Sequence, residues 1–202
     1  VVGGAAAPEN LGARYVWKRP AAFLGAGKAE VFAQGLFPSD VQQGALGNCW
    51  FMCSMSAIAE FPDLVTRLFV QEWSEVEGDG RPECDPQGMY ALQMCKHGQW
   101  TTVFVDDHFP CRPGEGGSPA FSQANGPEMW VLLVEKAYAK LHGSYTALRS
   151  GMCYEGLMDL TGAPTLYRRF EDHDVSFADM ERWDQSAWVV CASTPGVDTV
   201  TE

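Results

Sequence analysis

The stretch QQGALGNCWF, residues 42–51, joins a glycine-containing turn to an apolar run that continues to Glu60. Residues 49–60, CWFMCSMSAIAE, contain no glycine or proline and are apolar on nearly every face, which predicts a buried helix. Cys49 would open this helix, where free backbone N–H groups and the helix dipole stabilise a thiolate. Gln43 lies one short loop away and, with the backbone N–H of Cys49, could hold a developing oxyanion. The stretch indicates either a nucleophilic cysteine or one that merely packs, since buried free thiols are common.

The composition is that of a globular protein whose main partner is not nucleic acid. The 202 residues are 46% hydrophobic and 20% charged, with a net charge of −12. These values exclude a disordered polyelectrolyte, argue against nucleic-acid binding and leave room for a cation such as Ca²⁺. Seven cysteines without CxxC or zinc-type spacing predict reduced thiols in the cytoplasm. No signal peptide or transmembrane segment is expected.

The pattern along the chain predicts an α+β protein, because helices and strands do not alternate in βαβ order. Residues 1–12 are rich in glycine and alanine and predict a flexible arm or linker. Beyond the helix at Cys49, the predicted helices cover residues 62–70, 128–145 and 154–162. The predicted strands are residues 89–100 and 101–110, joined as a hairpin, and residues 187–193. Residues 14–20 are predicted as loop, and the acidic run 171–185 as solvated surface.

Four segments, in order, resemble the catalytic core of the calpain family of cysteine proteases. QGALGNCWF looks like the family's active-site motif, and VFVDDHFP like its Val-Asp-Asp-x-x-Pro strand and turn. EMWVLLVEKAYAKLHGSYTAL is similar to its Glu-Lys-Ala-Tyr-Ala-Lys helix, and YEGLMDLTG follows in the expected place. The resemblance implies a papain-like, Cys-bearing subdomain with a central buried helix, further helices and a small antiparallel sheet. It assigns residues 13–202 to this first subdomain and expects the second, with the catalytic His and Asn, beyond Glu202.

The resemblance also implies roles for individual residues. Cys49 would be the nucleophile and Gln43 the oxyanion donor, while Trp50 and Gly151 would line the substrate-binding part. Asn48 stands where the family usually has Asp, which removes a carboxylate beside the thiol. The implied activity is calcium-dependent hydrolysis of intracellular proteins through a Cys49 thioester, with this half inactive alone. The alternative is a catalytically inactive calpain-like module for binding or scaffolding, since Asn48 and the missing His and Asn fit it too.

A calcium site is implied within the same subdomain. By alignment, its ligands would be the carbonyl oxygens of Ala33 and Gly35 and the side chains of Asp40 and Glu128. Such mixed oxygen ligands suit a hard cation. From the residues alone, Asp40 could equally cap a loop, and Glu128 could be a favourable charge in the first turn of a helix.

The remaining polar residues are predicted to be structural. Asp106 and Asp107 are consecutive on a strand, so they point to opposite faces and cannot act as an acid/base pair. A redox pair formed by Cys49 and Cys53, one helical turn apart, is a third and weaker possibility. The histidines lie outside the family's Gly-His-Ala-Tyr context and are expected in structural or surface roles: His97, His108, His142 and His173.

Overall fold

The structure is a computed structural model that describes residues 15–33, 35–70, 84–114, 116–123, 125–170 and 175–193. The helices of these ranges are α1 (Cys49–Ala59), α2 (Pro62–Thr66), α3 (Trp130–Leu141), α4 (Cys153–Thr161) and α5 (Phe177–Gln185). The strands are β1 (Val16–Lys18), β2 (Met89–Lys96), β3 (Gln99–Asp106) and β4 (Phe109–Cys111). None of these helices is long and apolar enough to cross a bilayer. The arm predicted at residues 1–12 lies outside the described residues.

The strands form two small antiparallel sheets, so the α+β class is confirmed. β2 and β3 pair along their whole length, and their turn residues His97 and Gly98 have φ of 52° and 75°. Two left-handed residues are what a tight two-residue hairpin needs, because their twist matches that of the strands. β1 pairs with β4, with Trp17 opposite Pro110. Residues 14–20, predicted as loop, therefore contain a strand.

The core is built around α1 and α3, as their apolar sequences predict. All residues of α3 from Trp130 to Ala139 are buried. Phe51 of α1 stacks on Tyr138 of α3 with ring centroids 4.0 Å apart. Gly143, at φ 91°, follows the end of α3 in the left-handed conformation that terminates helices. α4 packs against α1, and Cys49 at the N-terminus of α1 is exposed.

The C-terminal part of the described chain differs from the sequence prediction. Residues 187–193 form no strand; they are irregular, although Val189 and Cys191 pack against the core. The described part of the acidic run, residues 175–185, has no buried residue, as predicted, but it contains α5. Ser176 and Asp179 start α5 by a reciprocal capping box. The local cap thus forms a helix that the hydrophobic pattern does not reveal.

A polar network joins β2, α3 and α4 beside the core. The buried carboxylate of Asp159 accepts hydrogen bonds from Lys96 Nζ at 2.7 Å and Tyr138 Oη at 2.8 Å. Lys96 Nζ also lies 2.9 Å from His142 Nε2. Burial lowers the pKa of His142 and the Lys96 charge adds to the effect, while the backbone oxygen of Tyr138 opposes it. The network therefore keeps His142 neutral where a free histidine would take up a proton.

This network predicts an acid-sensitive stability. The unfolded chain binds a proton at His142 near the ordinary value of 6.5, whereas the folded chain resists it. The stabilisation is therefore present above that value and is lost as the pH falls through the lower folded pKa. We expect His142→Gln to flatten the decline in unfolding free energy between about pH 7.5 and pH 5, measured by urea titration. His97→Asn, at the exposed hairpin turn, should keep the wild-type dependence of unfolding free energy on pH. If His142→Gln also keeps the wild-type dependence, the prediction is contradicted.

Candidate active site

Cys49 is the first residue of α1, and its side chain is exposed while most of the helix behind it is buried. Its neighbours Asn48, Trp50 and Phe51 are 1%, 9% and 0% exposed. α1 forms a buried helix because it lacks glycine and proline and is apolar nearly all round. The thiol therefore reaches solvent at a helix N-terminus, where backbone N–H groups have no helical acceptor.

The loop before Cys49 is held against a second segment of backbone. Gln42 exchanges two backbone hydrogen bonds with Gln123, of 3.0 and 2.9 Å. The N–H of Ala45 donates to the carbonyl oxygen of Ala120 at 2.8 Å. These bonds fix residues on both sides of position 43, so the path of the loop is set by pairing with residues 120–123.

Two glycines allow the loop to take this path. Gly44 lies so close to the second segment that an added Cβ would stand 1.7 Å from the carbonyl oxygen of Phe121. Gly47 has φ of 75°, in the left-handed region that favours glycine. Gln43 and Cys49, at the two ends of this constrained stretch, both have exposed side chains. The loop thus presents both residues to solvent, and their roles in catalysis stay a prediction.

A buried carboxylate on α3 ties this loop to α1. Glu135 is 2% exposed; one oxygen accepts a 2.8 Å bond from Asn48 Nδ2. Its other oxygen accepts bonds from the backbone N–H and the hydroxyl of Ser122, at 3.1 and 2.6 Å. Burial raises the pKa of Glu135, while the bonds from Ser122 and Asn48 oppose the rise. Glu135 therefore connects the residue before Cys49 with the segment that holds the loop.

The environment of Asn48 gives its amide a structural use. Asn48 Oδ1 is buried and finds no hydrogen-bond partner among the described residues, whereas Nδ2 serves Glu135. An Asp here would bring a second carboxylate against Glu135. From the sequence, Asn48 could be interpreted only as a neighbour of the thiol, because its partner Glu135 is 87 residues away.

Sequence reasoning missed Glu135 and Ser122. A signal was present: Glu135 and Lys136 interrupt the apolar run of the most strongly helical segment. Both are nearly fully buried, at 2% and 1% exposure. Charged residues are buried only when they are paired or hydrogen-bonded, so their position in that run could have indicated fixed polar partners.

Trp50 and Gly151, the predicted substrate-binding residues, are brought together. The indole N–H of Trp50 donates to the carbonyl oxygen of Leu148 at 2.8 Å, which fixes the ring. An added Cβ on Gly151 would stand 2.4 Å from that ring. Only glycine lets the backbone at position 151 lie flat against the indole. The exposed backbone of Gly151 is therefore held in a fixed place near the start of α1.

Two of the predicted calcium ligands are buried carboxylates in electrostatic contact. Asp40 and Glu128 are each 4% exposed. Glu128 Oε1 accepts a bond from the N–H of Ala33 at 2.9 Å, and Asp40 Oδ2 accepts one from Phe37 at 2.7 Å. Glu128 Oε2 is buried and forms no hydrogen bond of ordinary length among the described residues, although the Trp130 indole N–H, likewise without such a partner, is close enough to lower the pKa of Glu128. Burial raises the pKa of Glu128, and the Asp40 carboxylate adds to the rise.

This carboxylate pair fits a hard divalent cation. A buried, unpaired carboxylate oxygen beside a second carboxylate is costly unless a proton or a cation compensates the charge. Gly35 has φ of 132°, and a Cβ added to it would lie 2.9 Å from the Phe37 ring. Both observations favour glycine at this position. In the described part of the chain, no three His, Cys, Asp or Glu side chains form a metal-binding group. A cation here would thus depend on backbone oxygens, such as those of Ala33 and Gly35.

The consecutive acidic residues are bound by different lysine and arginine side chains. Asp106 accepts a 2.8 Å bond from Lys136 Nζ, whereas Asp107 forms an ion pair with Arg19 at 2.9 Å. Burial alone would raise the pKa of Asp106, but hydrogen bonds from Lys136 and His108 hold it below its usual value. Both carboxylates therefore fix the end of β3 and the turn after it.

The described histidines are engaged in local contacts. His108 Nδ1 lies 3.1 Å from Asp106 Oδ1 in that turn, and His97 occupies the hairpin turn. His142 belongs to the network of Lys96 and Asp159. The fourth, at position 173, lies outside the described residues.

Comparison with known proteins identifies the family. The model of the calpain family cysteine proteases matches residues 4–201. The chain is 36% identical over 160 residues to the calpain-type cysteine protease DEK1 of Arabidopsis thaliana, covering 77% of this chain and 7% of that protein. It is 36% identical over 156 residues to human calpain-12, covering 77% and 20%.

A third relative matches more of the chain. Calpain-5 of Caenorhabditis elegans is 34% identical over 192 residues, which cover 88% of this chain and 28% of that protein. The chain therefore spans less than a third of each of these relatives. With the family model matching nearly its whole length, the chain belongs to the calpain family of cysteine proteases.

Proposed function

We propose that this chain is the Cys-bearing half of the catalytic core of a calcium-dependent cysteine endopeptidase. The observation that carries the proposal is the exposed Cys49 at the N-terminus of the otherwise buried α1. The loop that precedes it begins at the exposed Gln43 and is fixed by backbone pairing. Family membership adds that proteolysis is the reaction to expect.

In the proposed reaction, the thiolate of Cys49 attacks the carbonyl carbon of a peptide bond. The negative charge on the former carbonyl oxygen is held by the Gln43 amide and the backbone N–H of Cys49. The C–N bond then breaks, the amine leaves with a proton, and a thioester on Cys49 remains. Water hydrolyses the thioester and regenerates the thiol. Protons would pass through the His of the second subdomain.

The substrate backbone would lie along Gly151. Its position against the Trp50 ring leaves no side chain in the way of an extended peptide. The Trp50 bond to Leu148 holds the ring and therefore this surface in place. Recognition of backbone rather than side chains fits proteins, rather than one small molecule, as substrates.

The second partner is the His- and Asn-bearing subdomain of the same protein. The described histidines, His97, His108 and His142, are engaged in the contacts given above, so we expect the base to come from that subdomain and the 202 residues alone to be inactive. We propose the cytoplasm as the location, because the nucleophile must remain a reduced thiol.

The test is cleavage of an unfolded protein such as casein by a chain extended through the second subdomain. We expect cleavage with Ca²⁺ and its loss in Cys49→Ala, because alanine cannot form the thioester. Cys84→Ala removes a half-buried thiol outside the site and is the matched control. Equal cleavage by the Cys49→Ala and unmodified chains would contradict the proposal. Absence of cleavage by the unmodified chain would favour the inactive binding or scaffolding module.

We also propose that Ca²⁺ binds at the pair of Asp40 and Glu128, with carbonyl oxygens of Ala33 and Gly35. The support is the buried, unpaired Glu128 Oε2 and the neighbouring Asp40 carboxylate. The cation would supply the positive charge that these residues lack. It would fix the loop at residues 35–40, which runs into the stretch before Cys49.

Calcium is therefore expected to stabilise the 202-residue chain. A ligand bound only to the folded state raises the unfolding free energy by about 2.7 kcal/mol at a concentration 100 times its dissociation constant. Glu128→Gln should weaken Ca²⁺ binding about tenfold or more, measured by titration calorimetry, because a charged ligand is lost. Glu181→Gln, on the exposed face of α5, should leave the affinity unchanged. A wild-type chain that shows neither binding heat nor thermal stabilisation with Ca²⁺ contradicts the site.

A further inference from the structure

Three half-buried cysteines converge beside α1. Cys53 lies on α1, Cys153 begins α4, and Cys191 lies in the irregular segment after α5. The thiols of Cys153 and Cys191 both lie close enough to Cys53 to lower the pKa of its thiol. The Cys191 sulfur also lies 3.8 Å from the backbone oxygen of Cys53, although the two residues are 138 positions apart. These three residues are called the thiol cluster below.

The cluster is organised as one thiolate and its donors. The hydrogen bond from Cys191 is the main cause that lowers the pKa of Cys53 to about 6, against the opposing effect of burial. Burial raises the pKa of Cys153 to about 11, and the Cys53 bond raises that of Cys191. A nucleophilic thiolate next to a protonated thiol is the arrangement from which disulfides form. A cysteine that merely packs needs no second thiol in contact.

A disulfide fits these contacts better than a metal ion. Thiolate metal sites use three or four ligands around one centre. The described residues contain no such group, the thiol cluster included. A disulfide needs only two sulfurs that can approach each other and partial access to the oxidant. The Cys191 sulfur already lies 3.8 Å from the Cys53 backbone oxygen, and both thiols are half-buried.

We propose that Cys53 and Cys191 form a reversible disulfide on exposure to hydrogen peroxide. The Cys53 thiolate attacks one peroxide oxygen, the O–O bond breaks, and with one proton the products are a sulfenic acid and water. The Cys191 sulfur then attacks the Cys53 sulfur, the S–O bond breaks, and hydroxide leaves with the Cys191 proton as a second water. Two thiols are oxidised by two electrons and one peroxide is reduced to two waters.

The disulfide would tie α1 to the segment that follows α5. Cys53 lies one turn along α1 from Cys49, on the same helical face. The cross-link would therefore fasten the C-terminal segment directly behind the candidate nucleophile. A bond closing so long a loop restricts the unfolded chain and should raise the temperature of unfolding.

The test is peptide mapping of the 202-residue chain carrying Cys49→Ser, so that the candidate nucleophile does not react. The chain is treated with hydrogen peroxide, free thiols are alkylated, and the protein is digested without reduction. We expect one main cross-linked pair, containing Cys53 and Cys191, with a mass lower by two hydrogens and cleaved by dithiothreitol. Its rate of formation should rise with pH through about 6, as the Cys53 thiolate forms.

Two variants sharpen the assignment. Cys191→Ser should abolish this pair, whereas Cys84→Ser, at a half-buried cysteine outside the thiol cluster, should leave it unchanged. If one variant fails to fold, peptide mapping of the chain with all three cysteines of the thiol cluster still tests the proposal. The proposal is overturned if Cys53 and Cys191 stay alkylatable after peroxide. It is equally overturned if Cys53–Cys153 dominates, or if disulfides spread over all the cysteines.

Discussion

Replacing Glu135 with alanine should lower the unfolding free energy by about 3 kcal/mol, because several buried donors lose their acceptor at once. These donors are the Asn48 amide and both the N–H and hydroxyl of Ser122. The cavity left by the side chain adds to the loss. Relief of the buried charge offsets part of it, since burial disfavours the ionised carboxylate. Urea unfolding of the 202-residue chain measures the net effect.

The pH dependence of this effect has a definite sign. The folded pKa of Glu135 is raised, so its stabilising contribution is fully present below the unfolded pKa and declines as the pH rises through the folded value. Glu135→Ala should therefore be more destabilising at about pH 5 than at about pH 8. Glu181→Ala makes the same change at an exposed helical position and should stay within about 0.5 kcal/mol of wild type. A loss under about 1 kcal/mol for Glu135→Ala at both pH values would show that the network does not stabilise the fold.

Glu135 also illustrates what the sequence can and cannot predict: the helices, but not their polar contacts. The apolar spacing predicted α3, and the glycine-free run predicted α1, because hydrophobic patterns determine which faces are buried. The polar partners of these helices depend on tertiary contact, as between Asn48 and Glu135 across 87 positions. No local pattern contains that information. The sequence thus predicts that Cys49 begins a helix, but it does not predict that Glu135 holds Asn48 and Ser122 in place beside it.

The errors at the secondary-structure level have a similar origin. Three residues carry too little pattern to predict β1, and the strand exists through its pairing with β4. Residues 187–193 have an apolar run that is typical of a strand, but they form none. Val189 and Cys191 pack directly against the core, whereas Trp188 and Val190 stay exposed. α5 lacks an apolar face on the core and rests on its cap at Ser176. In each case a tertiary contact or a cap outweighed the periodic pattern.

Gly44→Ala should be among the most damaging single-methyl changes in the chain. The new Cβ would stand 1.7 Å from the Phe121 carbonyl oxygen and 2.6 Å from that of Ala120. Both are backbone atoms held by pairing, so the two segments must separate. We expect a loss of about 3 kcal/mol in unfolding free energy, the upper end for overpacking. Gly47→Asn is the matched control, because it has open space and asparagine tolerates its φ of 75°.

The same change separates a structural role for the loop from a catalytic one. In a chain extended through the second subdomain, displacement of Gln43 would weaken an interaction made only in the transition state. We therefore expect Gly44→Ala to lower kcat about 100-fold with KM nearly unchanged, assayed well below its unfolding temperature. Gly47→Asn should keep kcat within about threefold of wild type, since it leaves the pairing at residues 120–123 intact. If Gly44→Ala instead raises KM and leaves kcat unchanged, the loop positions the substrate and Gln43 is not the oxyanion donor. If Gly44→Ala lowers the unfolding free energy but changes neither kcat nor KM, the backbone pairing stabilises the fold alone.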